Sequence, residues 1–201
     1  THLSSSEDDE VLTRIQLDRF AGVLSELTQN RLSVSHVHAM NSGGLVYEDR
    51  WVGNYVRPGL LVYGIVPSGR RRERGEWLKR LRPVLSLKSK VAFVKEVPTG
   101  SPISYGQKDV CSRTSVLATV CAGYGDGVLR SGGRRMEVMI DGKRCPVRGI
   151  ITMDQMIVDV SEVPNVRRGD EVVIIGTQRG DGISAKEQAA AAGTIPWEVL
   201  T

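Results

Sequence analysis

Three short stretches carry side chains that could do chemistry. The first is His38-Ala39-Met40-Asn41-Ser42-Gly43-Gly44, joined fifteen positions after Ser42 by Arg57-Pro58-Gly59. Backbone N–H groups, glycine and a hydroxyl are what a phosphate oxygen requires, and Ser42 with the amides of Gly59 and Leu60 fits that job. The same residues read equally well as a serine turn and a glycine helix cap. Arg57 is harder to dismiss, because its guanidinium stays protonated and is costly at the mouth of an apolar run unless an acceptor waits there. The second stretch, Ile103-Ser104-Tyr105-Gly106, puts a phenol in a loop past Pro98-Thr99-Gly100. It is either a turn residue with a partly buried ring or a group that moves protons. The third, Ile151-Thr152-Met153-Asp154-Gln155-Met156, drops two polar side chains between apolar segments, which stability alone does not require.

The elements that must position these residues fall into two sets. Over residues 7–29, Leu12, Ile15, Phe20, Val23, Leu24 and Leu27 recur at spacings of three and four, which predicts an amphipathic helix. A short strand at 32–37, an apolar strand at 60–65 and a basic helical segment at 77–81 follow. This alternation is that of a parallel α/β fold. At most two or three strands are supplied, too few to close or cover such a sheet, so something upstream is expected.

After Pro83 the period changes to two: Leu85, Leu87, Val91, Phe93 and Val97 share one parity and Glu96, Lys88 and Lys90 the other. Further strands are expected at 115–122, 136–140, 156–160 and 171–175, with an Asp141-Gly142 hairpin step. About a hundred residues of this kind make a β-barrel or sandwich. Ser184 and Glu187 form a capping box before an alanine-rich helix that Gly193 can end. The expected architecture is therefore α/β over 1–83 followed by an all-β domain over 84–201.

Composition narrows the classes. No apolar run approaches the roughly 18 residues of a spanning helix, and the opening THLSSSEDDE resembles neither a signal nor a transit peptide. Thr1 in place of a starting methionine reads as a piece of something longer. Cys111, Cys121 and Cys145 form no CxxC pair, which points to plain thiols in a reducing, cytoplasmic setting without a metal site. The net charge of +4 is concentrated in residues 70–82 and in Arg130, Arg134 and Arg135. Trp77 is the only aromatic residue in the basic run, so a solvated face is favoured over nucleic-acid binding.

Taken together, HxxNS, VRPGLLVYG, SYG, GYGDG (123–127), DGKRCPVRG, MDQM and GTIPWEV resemble alanine racemase, in order and with closely matching spacing from Thr1 onward. The resemblance implies the C-terminal portion of a (β/α)8 barrel that binds pyridoxal 5'-phosphate, then a β domain. Its tyrosine reaches across a head-to-tail homodimer, with neither nucleic acid nor membrane as a partner. It implies racemisation of L-alanine to D-alanine for peptidoglycan. Ser42 and the Gly59 and Leu60 amides would take the cofactor phosphate, and Arg57 would donate to the pyridine nitrogen. A donor that keeps its proton leaves the ring a weaker electron sink, which suits a racemase.

Racemisation needs a base on each face of the α-carbon; by the resemblance these are a Schiff-base lysine and Tyr105. A phenol in water gives up its proton only at about pH 10, so the site must favour phenolate or couple the proton to a partner. Met153 would contact the substrate carboxylate through its backbone, and Tyr124 with Asp154 would line the entrance. His38 and Asn41 are assigned to holding the strand end.

Two departures stand out. Trp197 occupies the position of the family's phosphate-contacting tyrosine; an indole N–H can donate one bond, but the larger ring leaves serine or another small amino acid open as substrate. The lysine motif is absent, and Lys79, Lys88, Lys90, Lys95, Lys108, Lys143 and Lys186 lie in no matching context, so these 201 residues alone are expected to be inactive. The family also continues beyond the counterpart of Trp197 for a strand or two. A non-catalytic binding or dimerisation module is the alternative of another class.

Overall fold

The computed structural model describes residues 1–69 and 75–201, which divide into two compact units, Thr1–Val84 and Leu85–Thr201. Residues 70–74 of the basic run lie outside the described residues.

In the first unit, Asp9 caps α1 (Glu10–Gln29), its carboxylate accepting from Leu12 N at 2.9 Å. The helix starts three residues later than its apolar spacing suggests, because Asp9 satisfies an end amide that no preceding turn could. Its buried stripe also differs from the expected one. Thr13 and Leu17 are buried and Phe20 and Leu24 pack beside Leu17 against Leu3, Ala39 and Met40, whereas Leu12, Ile15 and Val23 are exposed. The expected strand at 32–37 is irregular chain with Leu32 and Val34 exposed; the strand, β1 (His38–Asn41), begins one residue beyond it. After α2 (Ser42–Tyr47) comes β2 (Tyr55–Arg57), parallel to β1 with Asn41 opposite Arg57. The expected strand at 60–65 is instead a 3-10 turn, Leu60–Tyr63, with Leu60 buried and Val62 exposed. A second 3-10 turn, Glu76–Arg80, takes the place of the helix expected at 77–81.

The second unit is a closed barrel. Its strands are β3 (Leu87–Val97), the short β4 (Pro102–Ile103) and β5 (Asp109–Val110), β6 (Ser115–Val120), β7 (Glu137–Ile140), β8 (Lys143–Arg148), β9 (Met156–Asp159), β10 (Glu171–Gln178) and β11 (Asp181–Ile183). The main sheet runs β11-β10-β3-β6-β9-β8-β7, and β7 pairs back onto β10, so six strands close a ring. Alternation drives this: Val138, Cys145, Val147, Met156, Val158, Val172 and Ile174 are buried together as the inward set. Ile140 sits opposite Lys143 across the expected Asp141-Gly142 hairpin. Phe93 breaks the expected parity and is exposed, because the register with β6 shifts between Val91 and Phe93.

After the last strand come α3 (Ala185–Ala192) and α4 (Pro196–Leu200). Ser184 Oγ accepts from Glu187 N at 3.2 Å while the Glu187 carboxylate accepts from Ser184 N at 2.8 Å, the expected capping box. Gln188 ties α3 to the sheet by donating to the carbonyls of Glu137 and Ile174. Ser184→Ala is expected to lower the unfolding free energy by about 1 kcal/mol, measured in urea, with no change in slope. The thiols are unpaired; Cys111 and Cys145 are buried, Cys121 is exposed, and burial pushes the Cys145 thiol up to about 11. No helix among the described residues is long and apolar enough to cross a membrane.

Candidate active site

The donors of the first unit meet where β1 and β2 end. Parallel strands carry their side chains to a common C-terminal edge, and Ser42 and Arg57 stand at or just past it. Ser42 is buried, and its hydroxyl oxygen accepts from Gly59 N at 2.8 Å and from Leu61 N at 3.3 Å. The second amide that Ser42 meets is that of Leu61, because the chain turns into a 3-10 helix after Gly59. Leu60 itself is buried. Arg57 is exposed, and its guanidinium donates to the carbonyl of Thr1 at 2.8 Å.

Asn41 holds this edge in place. Its side-chain oxygen accepts from Gly44 N at 2.9 Å and from Ser6 Oγ at 3.0 Å, and its amide donates to Leu3 O at 3.1 Å. His38 opens β1, with Nδ1 buried and without a hydrogen-bond partner among the described residues.

The second unit gathers the remaining candidates. The turn at 123–127 lies against the turn at 152–155: Tyr124 N donates to Thr152 O at 2.9 Å and Gly125 N to Met153 O at 2.7 Å. A Cβ on Gly123 would stand 2.2 Å from Thr152 O and 2.5 Å from Asp154 N, so this close approach needs glycine. Tyr124 and Met153 are thereby neighbours, and both are exposed. Tyr105 and Asp154 line one cleft of about 410 Å³ with Ser104, Ile150 and Gln155. Tyr105 is 73% exposed, which rules out a phenol packed into its own barrel. Trp197 is half-buried in α4.

Sequence reasoning missed Asp109 and Arg148. Asp109 is 6% exposed, and Arg148 grips it twice, Nε to Oδ2 at 2.9 Å and Nη2 to Oδ1 at 3.0 Å. The Arg148 hydrogen bond, aided by the Gly149 amide, holds the Asp109 carboxyl below its ordinary range despite desolvation. Arg148 lies on the outward parity of β8, where a charge reads as solvent-facing, so alternation held no signal for this pair.

Residues 84–201 match the family described as "Alanine racemase, C-terminal domain", and residues 1–67 match "Alanine racemase, N-terminal domain". The alanine racemase of Halothermothrix orenii is 38% identical over 201 residues, covering all of this chain and 52% of that protein. That of Symbiobacterium thermophilum is 39% identical over the same share of each. Among solved structures, the alanine racemase of Streptomyces coelicolor superposes with a TM-score of 0.89 at 32% identity, covering 99% of this chain and 51% of that one. The Bacillus anthracis alanine racemase, crystallised with bound L-Ala-P, gives 0.86 at 34%, with 100% and 51% covered. Fold and motifs together define a barrel-edge donor cluster with a β domain of racemase type. The chain belongs to the alanine racemase family. It spans about half the length of the curated relatives it matches.

Proposed function

We propose that this chain is part of a pyridoxal-phosphate-dependent racemase that interconverts L- and D-alanine in the cytoplasm and supplies D-alanine for peptidoglycan. The observation that carries the reading is an exposed Tyr105 on an anchored turn, in a chain whose parallel strand ends gather a hydroxyl, amides and a guanidinium. That donor set fits an acceptor-rich anionic cofactor. Ser42 with the Gly59 and Leu60 amides would hold the phosphate, Trp197 would add an indole donor, and Arg57 would hydrogen-bond the ring nitrogen. When bound, pyridoxal phosphate supplies the electron sink that makes the α-hydrogen of an amino acid acidic.

Arg57 would donate to that nitrogen without surrendering its proton, which would limit how far charge is drawn from the reacting carbon. Tyr105 Oη would take or return the α-proton on one face; the other face needs a second base, assigned to a lysine outside these 201 residues. The Met153 backbone would orient the substrate carboxylate, while Tyr124 and Asp154 narrow the approach. An exposed phenol suits service to a second copy in a head-to-tail homodimer. The L-Ala-P found in the Bacillus anthracis relative supports a substrate the size of alanine.

Two measurements bear on this. Joining the chain to the portion of the Halothermothrix orenii protein it does not match should give a product that interconverts alanine enantiomers, followed by chiral chromatography. A soluble product that retains the cofactor and racemises neither alanine nor serine sinks the proposal; a higher kcat/KM for serine would redirect it. Ser42→Ala leaves the Gly59 and Leu61 amides without their acceptor, so it should cost the first unit about 1–3 kcal/mol in urea unfolding and weaken cofactor retention in the joined protein.

A further inference from the structure

Tyr105 rides on a ribbon too small to hold itself. β4 and β5 are two residues each, pairing Ile103 with Asp109 and Pro102 with Val110, and the turn between them carries the phenol. Isolated ribbons of this size are not stable in water. The turn is also strained: Ser104 has φ 61° and ψ −168°, a region almost reserved for glycine, and Gln107 has φ 50°. Such a conformation persists only where its surroundings over-determine it.

The surroundings converge on Asp109 at the base of the ribbon. Besides the two bonds from Arg148, the carboxylate accepts from Gly149 N at 2.8 Å, and the Arg134 guanidinium stands 3.6 Å away. Arg148 also donates to Val110 O at 3.2 Å and reaches Asp159 on β9 at 3.3 Å, so the chain of charges runs from the barrel wall into the ribbon. Beside it Ser104 Oγ donates to Ile150 O at 2.9 Å. Gly149, with φ 68°, lets Ser104 close in, since a Cβ there would sit 2.6 Å from Ser104 Cβ.

We propose that Asp109 and Arg148 are positioning residues for Tyr105: their bidentate pair, anchored on Asp159 and continued through Gly149 and the Ser104–Ile150 bond, fixes the strained turn that presents the phenol. The functional meaning rests on Tyr105 exchanging the α-proton, but the mechanical claim stands apart from it. A shift of the phenol of about 1 Å can cost roughly a hundredfold in rate, so the pair acts on kcat through geometry without touching substrate.

The test compares Asp109→Asn, Arg148→Met and Arg148→Lys by two readouts. In the 201-residue chain, amide order parameters at Tyr105 and Gly106 should fall from about 0.85 to below about 0.6 in Asp109→Asn and Arg148→Met, while those of Ser115–Val120 hold. Arg148→Lys, which keeps the charge and loses the fork, should fall less. In the joined racemase, kcat should drop roughly tenfold to a hundredfold with KM changed less than about twofold. Order parameters at 105 and 106 that stay at the parent value in folded variants overturn the proposal. Should Asp109→Asn not fold, Arg148→Lys, with both charges retained, decides in the same way. A loosened turn in a joined protein whose parent racemises nothing would leave the positioning role intact and remove the proposed function; an active parent with an unmoved turn would do the reverse.

Discussion

Tyr105→Phe is expected to slow alanine racemisation in the joined protein by about 10²–10⁴-fold, the usual worth of a positioned proton-transfer group. The substitution keeps the ring and removes only the hydroxyl, and with the residue 73% exposed it should leave stability within about 0.5 kcal/mol of the parent. The loss should be one-sided. Incubation in deuterated water separates the faces: exchange of the α-hydrogen of one enantiomer should persist, served by the other base, while that of its mirror image should nearly vanish. Equal loss for both enantiomers would mean that Tyr105 supports the site as a whole, and undiminished racemisation would mean that the phenol takes no part.

Asp109→Asn should give the largest loss of stability in the β unit, about 3 kcal/mol at neutral pH. Removing one partner of a buried pair strands the other, and Arg148, with 18% of its side chain exposed, keeps Asp159 as its one carboxylate among the described residues. The pH dependence follows from the direction of the Asp109 shift, since its carboxyl is held below 3.8 chiefly by the Arg148 hydrogen bond. A carboxylate depressed in the folded state stabilises fully above the unfolded-state value, and that contribution drains away as pH falls through the folded-state value. Parent and variant should therefore differ most above about pH 4 and approach one another in stronger acid, as read by urea midpoints across a pH series. A gap that stays constant down to the lowest pH at which the barrel folds would contradict this account.

The barrel was legible because its strands alternate: Val138, Val158 and Val172 face inward with few exceptions, and the Asp141-Gly142 step and the Ser184–Glu187 box are local features with local causes. The errors were of the opposite kind. Leu60 to Ile65 is apolar enough for a strand, yet Gly59 and Gly64 bracket it and the chain coils into a 3-10 turn; a short apolar run does not distinguish the two. In α1, several spacings of three and four compete, and which stripe is buried depends on where Leu3, Ala39 and Met40 lie. The Asp109–Arg148 pair joins residues 39 apart, and no periodicity reports a contact of that kind. Arg57 stood out because a guanidinium is costly at the mouth of an apolar run, while Asp109 and Arg148 beneath the Tyr105 turn read as ordinary surface charge.

The ring made by β7 returning to β10 has a consequence for how copies of this chain can meet. Among the described residues, the second unit's main sheet offers only the three-residue β11 as an outer hem, too short a rail for another chain to stack on. Any assembly through this sheet must then be made by side chains and loops, and copies that part on dilution should do so with every barrel rung still in place.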